Sequence, residues 1–182
     1  MREILGKLKG SQELCSMYAD GDDLEKFAVG FVTDFDDDFV LFERVSPEEK
    51  NDGIKCELID RVVKIGVSDK YTAQIEKLHQ HHKQKRHKKV DCTDGVVVGI
   101  LRYAMNNAVI CAVELCESDS YEATGFVKGI DGDIVTITSI DKHGDDDGEV
   151  IFDIGRISHV LCGSSDEIAL KILHWMRKGG DF

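Results

Sequence analysis

Two arginines occupy similar turns of this sequence and are candidate anion-binding residues. Arg61 and Arg156 each follow a short segment that begins with isoleucine and stand directly before an apolar run. A guanidinium offers a planar fork of N–H donors that suits carboxylates and phosphates. A structural ion pair with Asp36 or Asp131 of the same folding unit is the alternative, and the acidic hairpins nearby favour it.

A basic run between His79 and Lys89 contains no acid. Its five cations are further candidate binding residues: Lys83, Lys85, Arg86, Lys88 and Lys89. Such clusters are typical of nucleic-acid contacts. The whole chain, however, has a net charge of −12, and removing the +5 of this run leaves −17 for the remainder. Because such a body repels phosphate, we expect the run to be a tether lying on the protein's own acidic surface.

Histidines and acids cluster in the sequence without the spacing of a metal site. Four histidines, His79, His81, His82 and His87, stand beside five cations and no carboxylate, so we predict no metal there. The acidic triplets at 36–38 and 145–147 lack the order of a calcium loop. No nucleophile elbow, phosphate-binding loop or dinucleotide fingerprint is present. We therefore expect a protein without catalytic residues, metal or cofactor, and not an enzyme.

The six cysteines predict the compartment. None forms a CxxC pair, and Cys111 and Cys116 lie too far apart along one strand to form a disulfide. Reduced, mostly buried thiols are typical of cytoplasmic proteins. We find no apolar run long enough to cross a bilayer and no export signal, so we expect a cytoplasmic protein without a membrane partner.

An internal repeat defines the domains. Shifting the chain by ninety-five residues aligns 28–32 with 123–127, Arg61 with Arg156, and His79 with His174. One offset held over several elements indicates a duplicated folding unit. We predict a first domain over 1–79, a basic linker or helix extension over 80–93 and a second domain over 94–182.

Alternating apolar residues predict the elements of each domain: a helix, five short strands and a second helix. We expect Asp94 to cap the first helix of the second domain. The last helix, 166–178, is apolar around much of its girth, which predicts burial on more than one side. Phe31 and Phe126 stand at matching positions that we expect to face the cores.

The repeated segments resemble the Sm-like fold, the small barrel of the eukaryotic Sm proteins and of the bacterial Sm-like RNA chaperone. The spacing of glycine, apolar strand, aspartate and apolar strand from Gly30 to Leu41, and again from Gly125 to Thr136, is similar to the family's first signature. Arg61 and Arg156 match the arginine of the second. The resemblance implies a mainly β protein of two tandem Sm-like or SH3-like five-stranded barrels with flanking helices.

The family's RNA activity does not follow from this resemblance. Val40 and Val135 replace the RNA-contacting asparagine, and Val62 and Ile157 replace the glycine after the arginine. We therefore expect a non-enzymatic protein-interaction or regulatory module that binds a protein partner or itself. An RNA-binding protein that uses the basic run is the alternative.

Overall fold

The computed structural model describes residues 1–19, 25–48, 50–82, 89–116, 118 and 120–179. The chain divides into two compact units, Met1–Lys89 and Val90–Phe182. The division lies within the segment predicted as a linker. Within the described residues, no helix combines the length and the apolar composition that crossing a membrane requires.

The described residues of unit 1 form a helix, five strands and a second helix, as the alternation predicts. In chain order these are α1 (Arg2–Ser11), β1 (Leu14–Tyr18), β2 (Ala28–Phe35), β3 (Phe39–Val45), β4 (Asn51–Leu58), a 3₁₀ turn (Ile59–Arg61), β5 (Lys64–Val67) and α2 (Lys70–His82). The strands of this unit are antiparallel neighbours in the order β5-β1-β2-β3-β4.

The sheet of unit 1 is covered by a helix on each face. Leu5 and Leu8 of α1 join a buried cluster with Met17 and Phe42. On the opposite face, Ile75 of α2 joins a second cluster that includes Phe31. Two apolar faces explain why the strands are buried along most of their length, in contrast to the half-buried alternation of a sheet with one solvated face.

Unit 2 repeats the same order of elements. They are α3 (Val96–Asn106), β6 (Ile110–Leu115), β7 (Tyr121–Asp131), β8 (Ile134–Ile140), β9 (Asp146–Asp153), a 3₁₀ turn (Ile154–Arg156), β10 (Ile157–Cys162) and α4 (Ser165–Arg177). Its strands are antiparallel neighbours in the order β10-β6-β7-β8-β9. The prediction of a mainly β protein with flanking helices is confirmed.

The described strands of neither unit close into a barrel. In each unit the last strand pairs with the first, and the fourth strand pairs with the third, so β5 and β4, like β10 and β9, are the two ends of their unit's strand order. Bulges bend the ladders, for example between Val32 and Asp34, without joining the two ends. The predicted closed five-stranded barrels are therefore not confirmed, because closure requires a ladder between the fourth and fifth strands of the unit.

Three local predictions require correction. Asp94 does not cap α3, because the helix begins after Gly95, which has φ 99° and makes no side-chain cap. Phe31 is 5% exposed, but Phe126 is only half-buried. The last helix is not buried on more than one side, since most of its large apolar residues are exposed.

Candidate functional site

The two candidate arginines have different surroundings. Arg61 ends the 3₁₀ turn of unit 1, and its Nε lies 3.7 Å from Oε1 of Glu57. Asp36, the partner considered above, accepts hydrogen bonds from the backbone N–H groups of Asp38 and Phe39 and so closes its own hairpin. Arg61 thus lies beside a buried carboxylate of the neighbouring strand.

Arg156 ends the corresponding turn of unit 2 and is exposed. Within the described residues no carboxylate lies within ion-pair distance of its guanidinium. Asp131, the predicted partner, is an exposed residue at the end of β7. The two matched arginines therefore do not share one structural role. Arg61 shares the carboxylate of Glu57 with Lys55, whose Nζ lies 3.5 Å from Oε2.

The basic run contributes little to the described surface. Lys83, Lys85, Arg86 and Lys88 lie outside the described residues, and Lys89 is exposed. His79, at the start of the run, is buried and packs its ring 5.8 Å from that of Phe31. His79 is therefore a packing residue of unit 1.

Charged side chains inside unit 1 form ion pairs that the sequence did not reveal. Lys55 and Glu57 are both buried on β4, with Nζ 3.5 Å from Oε2. Burial lowers the pKa of Lys55 below its ordinary value, and the neighbouring Glu57 opposes that shift. Arg44 and Asp52 pair at 2.8 Å nearby. The spacing of Lys55 and Glu57, two residues apart, places both side chains on one face of the strand, but it does not show that this face is buried.

Two of the buried cysteines are poor nucleophiles. All six are free thiols. Burial is the main cause that raises the pKa of Cys15 and of Cys111 to about 12, so both remain protonated at neutral pH. Among the residues that the structure describes, no group of three or more His, Cys, Asp or Glu side chains could hold a metal ion.

The most distinctive surface is on α4 of unit 2. Four large apolar side chains lie on the side of this helix that points away from its sheet, and we call them the outer face of α4: Ile168 (52% exposed), Ile172 (39%), Leu173 (44%) and Met176 (55%). At roughly 100° per residue, the sector that they cover contains no charged residue. Trp175, 54% exposed, stands at its margin.

The inner side of α4 explains this orientation. Glu167 is buried there, and Leu170 and His174 are partly buried against the unit, where the helix packs on β6. The carboxylate of Glu167 accepts from the backbone N–H of Ser164, whose hydroxyl accepts in turn from Asp166. This capping box fixes the rotation of the helix with a polar residue inward.

The C-terminal half of α4 is also anchored by polar contacts. Nδ1 of His174 donates to the carbonyl oxygen of Gly144 at 2.9 Å, and its ring lies 5.7 Å from that of Phe126. Lys178 hydrogen-bonds Asp146, which holds the pKa of that carboxyl below its usual range. The outer face is therefore presented by a helix that is fixed at both ends.

Unit 1 lacks such a face on its last helix. At the offset of ninety-five residues, three of the four outer-face positions, 168, 172 and 176, correspond to Ala73, Lys77 and His81 of α2, which are small or polar. The fourth, Leu173, corresponds to Leu78, which is partly buried. Both helices keep the inward histidine that contacts a phenylalanine of the second strand of their unit. The packing is thus shared, whereas the apolar outer face is particular to unit 2.

The outer face of α4 is suited to contact with another apolar surface. Contiguous apolar patches of more than a few hundred Å² are uncommon on monomeric proteins and mark interaction sites. The sequence showed which residues of α4 are apolar, but it did not show which of them face outward. Comparison with protein families, with curated proteins and with solved structures found no match to this chain.

Proposed function

We propose that this chain is a non-enzymatic protein-interaction module, and that the outer face of α4 is its contact surface. The observation that carries the proposal is the exposure of Ile168, Ile172, Leu173 and Met176 on a well-anchored helix. Helices that present apolar residues at i, i+4 and i+8 are typical of helix-mediated recognition between proteins.

The magnitude of the effect supports a specific but reversible contact. Burying one of these half-exposed side chains contributes about 1 kcal/mol, about half of the 1.5–3 kcal/mol for a fully buried one. Association costs at least several kcal/mol of lost rotational and translational freedom. Four such side chains contribute about 4 kcal/mol in total, which only offsets this cost, so the partner must bury apolar surface of its own and the contact is reversible rather than obligate.

We further propose that each unit is a variant of the Sm-like or SH3-like small β-barrel that serves as a scaffold for this contact. The helix before the first strand, the five antiparallel strands and the 3₁₀ turn before the last strand support this assignment. The free thiols support a reducing, cytoplasmic location.

Affinity capture from the native cell tests the proposed contact surface. We expect the parent chain to retain protein, and Ile172→Lys to reduce that retention about tenfold, because an ammonium in the middle of the outer face must be desolvated on binding. Lysine has a higher helix propensity than isoleucine, so α4 itself should persist, and circular dichroism checks this.

A matched control separates the outer face from apolar exposure in general. Ile151 on β9 is 66% exposed and belongs to the same unit. Ile151→Lys adds the same charge, and we expect it to leave the retained proteins unchanged. Equal capture by the parent and by Ile172→Lys would contradict the proposed surface.

A further inference from the structure

The charges that border the outer face of α4 are arranged so that the face complements a copy of itself. Asp166 lies in the first turn of the helix and Arg177 in the last. Eleven residues separate them, and at roughly 100° per residue the two side chains project from nearly the same side of the helix. Both therefore border the outer face on the side of Leu173, and they lie about 16 Å apart along the helix axis. One flank therefore carries a negative charge at one end and a positive charge at the other.

Antiparallel packing of two such helices brings like flanks together. In that arrangement the flank that holds Asp166 lies beside the equivalent flank of the second helix, and the two helices run in opposite directions. Asp166 of each copy then lies beside Arg177 of the other, and Ile172 lies near the two-fold axis. The opposed helix dipoles favour this orientation as well.

The other cations at this helix do not obstruct the contact. Lys171 donates to the carbonyl oxygen of Ala108 in its own unit, and Lys178 is bonded to Asp146. Arg177 lies 3.8 Å from Asp145 in a pair that is more than half exposed. Exposed pairs of this kind contribute little to stability, so Arg177 can bridge to a second acid across the axis.

The net charge of −12 does not forbid pairing of copies, because the outer face contains no acid. Exposed charges are largely screened beyond ~8 Å at physiological salt, which leaves the local contacts to decide. A two-fold contact uses the same patch on both partners and needs only one suitable surface per chain.

From these observations we infer that the occupant of the outer face of α4 is a second copy of this chain, packed helix against helix in antiparallel orientation about a two-fold axis. This inference rests on the proposed function and names its partner. Ile172 meets its own copy at the centre, and Asp166 pairs with Arg177 of the second copy on each side.

Sedimentation equilibrium of the full chain tests this pairing. Between about 1 and about 200 µM the parent should convert from monomer to dimer. Ile172→Lys should remain monomeric because two ammonium groups would meet at the axis, and Ile151→Lys should dimerise like the parent. A monomeric parent, or dimerisation that Ile172→Lys leaves unchanged, would overturn the inference.

A charge exchange tests the antiparallel orientation. Asp166→Arg places two cations together in each pair, and Arg177→Asp places two acids together, so each variant alone should dimerise less than the parent. An equimolar mixture restores both opposite-charge contacts in the heterodimer. We expect the mixture to associate at least about threefold more tightly than either variant alone, since each restored surface pair contributes up to about 1 kcal/mol. No gain on mixing would overturn the antiparallel pairing.

These outcomes separate the inference from the function on which it rests. If the parent is monomeric but still captures another protein through Ile172, the second copy is wrong and the interaction surface stands. If the parent dimerises and Ile172→Lys changes neither dimerisation nor capture, the surface itself is wrong.

Discussion

One glycine in each unit lies where two neighbouring strands leave no room for a Cβ. A Cβ placed on Gly30 would lie 2.1 Å from the carbonyl oxygen of Glu43, and one on Gly125 would lie 2.0 Å from that of Thr138. Both contacts are with backbone, which cannot move without disturbing the ladder. The two glycines occupy corresponding strands, β2 and β7, and corresponding partners lie opposite them.

We therefore predict that Gly30→Ala lowers the free energy of unfolding of unit 1 by about 1–3 kcal/mol, the usual cost of inserting a methyl group into packed structure. Urea denaturation measures this change. Gly10→Ala is the control: its added Cβ meets nothing within 4 Å and lies in α1, where alanine is favoured over glycine. Equal midpoints for the two variants would show that β2 and β3 are not packed as described.

The matching phenylalanines show a limit of inference from the repeat. The repeat predicts equal burial of Phe31 and Phe126, yet Phe31 is enclosed by Leu14, Val29 and Ile75, whereas Phe126 is only half-buried. Equivalent backbone positions do not guarantee equal environments, because the helix above each residue differs in sequence.

The capping box of α4 is the element on which the orientation of the outer face depends. Ser164 is 3% exposed and accepts a hydrogen bond from Asp166, while Glu167 closes the box from the other side. No comparable side-chain cap precedes α1 or α3. The start of α4 is thus specified by side chains as well as by packing.

Removal of this cap should loosen α4. We predict that Ser164→Ala destabilises unit 2 by about 1 kcal/mol, whereas Ser164→Gly costs only a few tenths, because glycine is tolerated at an N-cap. Thermal unfolding followed by circular dichroism measures both variants. Equal losses would mean that the buried hydroxyl acts through packing and not through the cap.

Much of the element order was predictable from the sequence, and the exceptions have local causes. Alternation of apolar residues predicted the five strands that the structure describes in each unit, but β4 begins at Asn51, before the apolar residues from Ile54 onward that indicate a strand. Gly53 has φ 82°, and a register shift lies opposite it, so a stretch that resembles a loop stays in the ladder. Periodicity also could not show which side of α4 faces the sheet. Glu167 and His174 decided that orientation through hydrogen bonds, and not through hydrophobicity.

The whole molecule is acidic, and this charge bears on the alternative function. We predict that the parent chain does not retain mixed RNA oligonucleotides at about 0.15 M salt, where exposed charges are screened beyond ~8 Å. Filter binding across a salt series measures retention. Micromolar binding that disappears when the five cations of the basic run are replaced by glutamine would contradict this expectation and favour the RNA-binding alternative.

The difference between α2 and α4 determines how many copies one chain can bind through this kind of contact. A contact that engages the same patch on both partners occupies that patch, and at three of the four matching positions α2 has alanine, lysine and histidine where α4 has large apolar side chains. A molecule that is already paired therefore has no second patch with which to bind a third copy. Growth through this contact stops at two copies, so rising concentration should bring light scattering to a plateau and not to the steady increase of an open filament.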